Sequence, residues 1–439
     1  MDLSINCGGI KSPNPFWLAS GPPSNSAYQN CKAFEQGWGG TVWKTIGSPV
    51  MNVCNRLGGF NYNGQKLMGI NNIELISDRS IETNLKEIAE TKRLWQDRAV
   101  VVSLMVEARK EVWQDIVKRS IDTGADGLEL NYGCPHGMSE RGMGSAVGQV
   151  PEYCEMITNW VTEVSTIPVL VKLTPNVSNI QTPARAAKAA GADGISLINT
   201  INSIMGVNLD TFELYPSVGG KSSHGGLAGP IVKPIALHLL SQVAIDPNVN
   251  LPISGIGGIS NWKDALEFIL LGADSIQVCT AVMLHGFRIV EDMIEGLSNW
   301  MEEKGYTSLE QVRGKALPKL DDFGSLNLLH KTAARINQDK CIQCNLCYIA
   351  CEDGSHQCID LRKTYDREQT IVREEDCVGC GLCSIVCPVD GCISMVQLDD
   401  GSKVQTWNGL LQQFKSQGKE LTWDNLREFQ QKTRGNCKL

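Results

Sequence analysis

Two cysteine runs constrain this chain more than any other feature. Cys341, Cys344, Cys347 and Cys351 form the first; Cys377, Cys380, Cys383 and Cys387, followed by Pro388, form the second. Both read C-x2-C-x2-C-x3-C. Three thiolates of one tight loop reach three irons of a cubane, and the fourth ligand must come from elsewhere. Where two such runs occur together, each trailing cysteine serves the other cluster. The spacing therefore predicts one [4Fe–4S] cluster on Cys341, Cys344, Cys347 and Cys387, and a second on Cys377, Cys380, Cys383 and Cys351. Zinc is the competing metal, but its knuckles pair two short C-x2-C steps across a longer gap. Cys358 and Cys392 fall outside the pattern and read as plain buried or surface thiols. A disulfide scaffold suits small secreted chains. This chain has 439 residues and opens on Met1-Asp2-Leu3, with no basic segment leading into an apolar run. A cytoplasmic location is therefore expected.

Ahead of the cysteines, one grammar repeats. A short apolar, β-branched run is followed by a polar residue or glycine and then by a helical pattern. The runs are 16–20, 41–45, 99–105, 127–131, 168–173, 194–200, 252–256 and 275–280. Strands alternating with helices predict a parallel sheet. Eight such units in roughly 300 residues predict a closed (β/α)8 TIM barrel, of the α/β class. Three joins share a phrase, Gly124-Ala125-Asp126, Gly191-Ala192-Asp193 and Gly272-Ala273-Asp274, which reads as a helix stop and a turn into the next strand. The expected organisation is a barrel over 1–315, a linker over 316–336, a two-cluster ferredoxin-like domain over 337–395 and a polar tail over 396–439. In the tail, Trp407, Leu410, Leu411 and Phe414, then Leu421, Trp423, Leu426 and Phe429, have helical spacing.

A barrel of this kind works at the C-terminal ends of its strands. Those ends carry Ser20, then Lys44 and Thr45, then Asn131 leading into Tyr132-Gly133-Cys134-Pro135-His136. Lys172, Asn199-Thr200, Ile256-Gly257-Gly258 and Cys279-Thr280 follow. Gly257 and Gly258, with Cys279 and Thr280, occupy the usual phosphate position of the barrel, after strands seven and eight. A lysine ending a buried strand is costly to desolvate unless it meets an anion or a carbonyl. Lys44 and Lys172 with that phosphate position suit flavin mononucleotide, which also links one-electron traffic to hydride chemistry.

At this point the chain resembles a known family. Asn131-Tyr132-Gly133-Cys134-Pro135-His136-Gly137-Met138, followed by Glu140-Arg141-Gly142-Met143-Gly144, is similar to the active-site loop of dihydropyrimidine dehydrogenases. So are Asn72-Ile73-Glu74-Leu75-Ile76-Ser77, Lys172-Leu173-Thr174-Pro175-Asn176 and Gln277-Val278-Cys279. The resemblance runs over residues 1 to about 395. It is strongest to the FMN and iron–sulfur subunit of the two-subunit bacterial NAD-dependent form, and its barrel pieces are shared with dihydroorotate dehydrogenases. It implies that Ser20, Lys44, Thr45, Lys172, Gly229, Ile256, Gly257, Gly258, Cys279 and Thr280 bind FMN. It implies a pyrimidine base held by Asn72, Asn131, Tyr132, Gly133, Asn199 and Thr200, with Cys134 as general acid–base. The family often has serine where this chain has Gly133.

The residue chemistry agrees with those roles. A uracil edge alternates carbonyl acceptors and N–H donors, and an asparagine offers one of each. Saturating the 5,6-double bond needs a hydride at one carbon and a proton at its neighbour. A thiol with pKa near ~8.5 is mostly protonated at neutral pH and can give that proton. The chain has no G-x-G-x-x-G fingerprint after a strand, so an FAD- and NAD(P)-binding partner subunit is expected to exchange electrons with the clusters in a hetero-oligomer. The net charge of -8 without a basic run argues against nucleic acid, and no apolar stretch approaches membrane length. Two other readings stand beside this one: a dihydroorotate dehydrogenase-like enzyme, and an electron-relay subunit with no pyrimidine chemistry of its own.

Overall fold

The structure, a computed structural model, describes residues 1–62, 65–134, 143–363, 368–399, 401 and 403–434. The chain divides into two compact units, Met1–Lys319 and Leu320–Leu439.

Runs such as Ala99–Met105 are buried at every position. A strand of that kind must be covered on both faces, by a barrel interior on one side and helices on the other. The first unit meets this demand with a closed barrel of eight strands in sequential order. They are Phe16–Leu18, Gly40–Gly47, Ala99–Met105, Gly127–Asn131, Val169–Lys172, Gly194–Leu197, Ile253–Ile256 and Ser275–Val278. Every neighbouring pair is parallel. All eight runs read from the sequence as barrel strands are present. Helices between them bury one stripe each; Lys110–Ile121 turns Trp113, Ile116, Val117 and Ser120 inward.

The repeated Gly-Ala-Asp phrase has a structural job. Its glycines take positive φ, as a left-handed helix end requires. Its aspartates each accept a hydrogen bond from the backbone N–H that opens the preceding strand: Asp126 from Val100, Asp193 from Val169, Asp274 from Ile253, at 2.8–2.9 Å. Each staple fixes where neighbouring strands start, and so the level at which they end. Asn131 and Lys172 consequently stand opposite one another.

Two additions lie outside the barrel grammar. A hairpin of Ile5–Cys7 and Ile10–Ser12 packs Cys7 and Ile10 against Trp17, Val42 and Leu170 at the N-terminal end. A four-stranded antiparallel sheet joins Ile201–Ser203, Gly225–Ala228, Gln65–Asn72 and Leu57–Tyr62. It carries Asn72 to the mouth of the barrel.

In the second unit, Thr332–Ile336 pairs with Ile393–Gln397, and Ile359–Lys363 with Glu368–Val372. The first of these strands falls inside the stretch expected to be linker. It is a strand only because its partner lies some sixty residues on, a pairing that local pattern does not reveal. Helices Leu346–Glu352 and Leu382–Val386 each follow a left-handed residue, Asn345 and Gly381. Two further helices, Trp407–Ser416 and Trp423–Arg434, follow, and Leu410 of the first is buried. Among the described residues no helix is long and apolar enough to cross a membrane.

Candidate active site and metal centres

The strand ends open into a cavity. Its lining includes Ser20, Lys44 and Thr45 from the first two strands, and Asn131, Cys134 and Lys172 from the next turns of the barrel. Asn199, Thr200, Ile256, Gly257, Gly258, Cys279 and Thr280 complete the ring, with Asn72 and Gly229 supplied from the antiparallel sheet and its edge.

Hydrogen bonds within the protein hold this ring in place. Asn131 donates to Thr45 Oγ1 at 2.9 Å, and its own carbonyl accepts from Asn199 Nδ2 at 2.9 Å and from the Gly133 N–H at 3.1 Å. Thr45 Oγ1 also shares hydrogen bonds with Ser20 and Ser103, each at 2.9 Å. The Asn72 side chain accepts the Glu74 N–H. Cys134 is nearly buried, packed with Ile76, Met105 and Met143, and its carbonyl receives the Ser145 N–H at 3.0 Å. Pro135, His136 and the loop through Gly142 lie outside the described residues.

Tyr132 and Gly133, both expected substrate contacts, are engaged with other parts of the protein. The Tyr132 side chain does not line the cavity. Its hydroxyl pairs with Thr158 at 3.1 Å and its ring meets the edge of Trp113, inside the layer between barrel and helices. Neighbours along an extended chain point to opposite faces, so Asn131 facing inward sends Tyr132 outward. Burial holds its phenol well above the usual range. Gly133 presses on Asn199: a Cβ there would stand 2.4 Å from both Cβ and Nδ2 of that asparagine.

Each strand-end lysine has an acid beside it. Lys44 forms a buried ion pair with Glu74, and Lys172 lies 3.4 Å from Glu129. Glu129 is fully buried and accepts from Gln277 Nε2 at 2.9 Å, while Gln277 also donates to Ser254 Oγ at 2.9 Å. Glu129 Oε1 is the oxygen that faces Lys172, while Gln277 Oε1, on a residue that lines the cavity, has no hydrogen-bond partner among the described residues. An unsatisfied acceptor at the floor of a cavity marks a place that a donor-bearing ligand completes. The available signal was an acid inside an otherwise apolar strand, Gly127-Leu128-Glu129-Leu130.

The phosphate position is backbone-lined. Gly258 has φ near +77°, and a Cβ there would come within 2.8 Å of the Gly229 carbonyl and the Lys233 N–H. Only glycine permits that approach. Lys233 itself is committed to Asp264 at 2.6 Å and Glu267 at 2.9 Å, so backbone amides rather than its ammonium face an anion here. Burial pushes the Cys279 thiol up to about 11, which keeps it neutral beside the phosphate position. A glycine-walled phosphate position, two strand-end lysines and the unsatisfied Gln277 carbonyl fit a phosphorylated flavin.

In the second unit the cysteines fall into two groups. Cys341, Cys344, Cys347 and Cys387 surround one small cavity, which Cys392 also lines. Cys351, Cys377, Cys380 and Cys383 surround the other, with Cys358. Each cavity thus draws three cysteines from one run and one from the other. Among the described residues no three His, Cys, Asp or Glu side chains converge as one metal ion requires. A zinc ion would hold its sulfurs roughly 3.8 Å apart, from Zn–S bonds of about 2.3 Å. Thiols spread around a cavity suit a multi-atom cluster.

Comparison with known proteins agrees with both centres. The dihydroorotate dehydrogenase family model matches residues 2–301, and a 4Fe-4S dicluster domain matches 334–395. The NAD-dependent dihydropyrimidine dehydrogenase subunit PreA of Escherichia coli is 42% identical over 362 residues, covering 82% of this chain and 87% of that one. The chloroplastic dihydropyrimidine dehydrogenase (NADP(+)) of Arabidopsis thaliana is 40% identical, over 72% of this chain and 77% of that one. The catalytic subunit of dihydroorotate dehydrogenase B (NAD(+)) from Pyrococcus abyssi is 37% identical, over 72% of this chain and 99% of its own length. With a dihydroorotate dehydrogenase-type barrel and a dicluster domain behind it in sequence, the chain belongs to the dihydropyrimidine dehydrogenase family of flavin and iron–sulfur oxidoreductases.

Proposed function

We propose that this chain interconverts uracil or thymine with their 5,6-dihydro forms, using FMN in the barrel and two [4Fe–4S] clusters in the second unit. The observation that carries the reading is the locked asparagine pair, Asn131 and Asn199, in the same cavity as Cys134. Asn72 and Thr200 add polar groups to that cavity. Together they offer donors and acceptors to the alternating edge of a pyrimidine base.

Bound FMN supplies hydride chemistry and accepts single electrons. Gly229, Gly257, Gly258 and Thr280 would hold its phosphate, with Ile256 and Cys279 walling the position. Lys44, Lys172, Ser20 and Thr45 would meet its polar ring atoms. Lys172 is charge-balanced by Glu129 from below, so it can face a flavin carbonyl without being a lone buried cation. Cys134 Sγ holds the proton that the reduced pyrimidine gains and takes it back in the reverse direction. Its apolar neighbours Ile76, Met105 and Met143 exclude water from that thiol.

The dihydroorotate reading requires a cation for the orotate carboxylate. No arginine lines the described cavity, and each of its two lysines already faces a buried carboxylate. A partner subunit with FAD and an NAD(P) site would deliver the electrons in a hetero-oligomer, since the chain has no dinucleotide fingerprint. A reducing cytoplasm suits clusters on accessible thiolates. The test is anaerobic turnover of the purified, flavin-loaded chain with a reduced viologen. Uracil and thymine should be reduced and orotate should not. Reduction of orotate alone would favour the dihydroorotate reading; no turnover of any pyrimidine would favour an electron relay.

A further inference from the structure

The two halves of the second unit are built alike. Each has a run of cysteines, a short helix after a left-handed residue and a small cavity with four cysteines of the repeated spacing. Each cavity also has a fifth cysteine, Cys358 in one and Cys392 in the other, and both are buried. The repeated spacing gives these two residues no role.

Their surroundings differ. Cys358 Sγ lies 3.6 Å from Cys351 Sγ, and the Cys358 backbone N–H donates to the same sulfur at 3.4 Å. Cys392 turns its thiol to the Asn337 carbonyl at 3.6 Å, and its N–H goes to the Val389 carbonyl at 3.2 Å. One trailing cysteine, Cys351, thus accepts the backbone N–H of its fifth cysteine and shares a thiol contact with it in which either sulfur could donate. The Cys392 thiol also stands within hydrogen-bond reach of Cys387 and Cys341, but its backbone N–H goes to neither sulfur.

We propose that Cys358 is a positioning residue that donates an S–H hydrogen bond to the ligand sulfur of Cys351 and raises the reduction potential of the cluster held by Cys351, Cys377, Cys380 and Cys383. The inference rests on the two-cluster reading. Ligation takes the proton from Cys351, so the hydrogen of the sulfur pair must then reside on Cys358. On reduction the cluster passes from [4Fe–4S]2+ to [4Fe–4S]1+, gaining one electron and no proton; the S–H bond stays intact. The added negative charge spreads onto the ligand sulfurs. A hydrogen bond to one of them stabilises the reduced form more than the oxidised form.

The experiment uses the full chain, loaded anaerobically, with iron counted first. A wild-type chain without about eight irons would defeat the two-cluster reading itself, before any variant is compared. A mediated redox titration with dithionite, followed by electron paramagnetic resonance, then resolves the two potentials. Cys358→Ala should keep all the iron and lower the potential of one cluster only. Cys358→Ser, which retains a donor on the same stem, should recover part of that shift. Cys392→Ala should leave that same potential where it was. Unchanged potentials in Cys358→Ala would overturn the proposal. Loss of half the iron in Cys358→Ala would overturn it too, because Cys358 would then be a ligand and not a donor.

Discussion

The barrel site and the cluster unit solve the same problem, holding a redox group, in opposite ways. In the barrel, polar residues from separate strands are tied to one another through Ser20, Thr45, Ser103, Asn131 and Asn199. They sit above a core of fully buried Leu, Ile, Val, Phe and Trp that owes nothing to a cofactor. In the second unit the buried cluster is Ala334, Cys347, Cys351, Cys358, Ile359 and Cys383. Four of those six side chains are thiols, three of them expected iron ligands. A small unit with so little apolar area to bury is marginal by itself. There, binding energy of the metal is folding energy.

Removing each cofactor in turn should therefore have unequal consequences, and this is the largest effect expected. After oxidative loss and chelation of iron, amides of Thr332–Ile336 and Ile393–Gln397 should lose hydrogen-exchange protection almost completely. Amides of Ala99–Met105 should keep theirs. Stripping the flavin should lower barrel stability only by linkage, about 2.7 kcal/mol relative to a hundredfold excess over Kd. Full protection of the second unit after iron loss would erase the contrast.

The next effect concerns chemistry inside the prebuilt site. Cys134→Ala removes a thiol that belongs to neither cluster and lines the cavity beside Asn131. Flavin content, iron content and pyrimidine affinity should be retained. Turnover should fall by roughly 10²–10⁴-fold, the range for a positioned general acid. Serine should rescue little, because a hydroxyl is a far weaker acid than a thiol. If Cys134 only packs against Met105 and Met143, alanine would reduce stability and leave turnover near wild type, which equilibrium unfolding and steady-state kinetics together would reveal.

How much of this was legible beforehand follows from the range of the interactions. The eight barrel strands announce themselves because each is a short apolar run closed by its own turn, and the ligand runs because a cubane demands local spacing. The antiparallel sheet over the barrel mouth was not legible: Gln65–Asn72 pairs with Gly225–Ala228, and nothing within either segment encodes the other. The same holds for Thr332–Ile336. Lys172 drew notice as a cation ending a strand, yet its counter-charge Glu129 sits one strand away, and the pairing emerges only when the barrel closes. Tyr132 was misplaced because a motif names consecutive residues while an extended chain alternates its faces. Cys358 and Cys392 look alike in sequence and differ in their backbone N–H partners, the Cys351 sulfur for one and the Val389 carbonyl for the other.

The smallest effect tests the one departure from the family's loop. Gly133 needs no unusual backbone angle; it is glycine because Asn199 occupies the space where a side chain would start. A Cβ at 2.4 Å from Asn199 Cβ and Nδ2 cannot be absorbed without movement. Gly133→Ser should push Asn199 aside and break its 2.9 Å donation to Asn131, while Asn131 keeps Thr45 and the residue 133 N–H. Overpacking of this kind costs about 1–3 kcal/mol, so KM for the pyrimidine should rise roughly tenfold, with kcat less affected. Flavin and iron should stay, since the residue touches neither set. Gly133→Ala separates the two ways serine can act. Equal losses in alanine and serine variants would make the effect steric. A serine variant that binds pyrimidine better than alanine would show its hydroxyl replacing the displaced amide. Adding Asn199→Ala sharpens the point: if residues 133 and 199 act through one contact, the double variant should cost much less than the sum of the single ones. Additive costs would mean that Asn199 reads the substrate independently of the loop, and that the glycine sets only the packing at the mouth of the barrel.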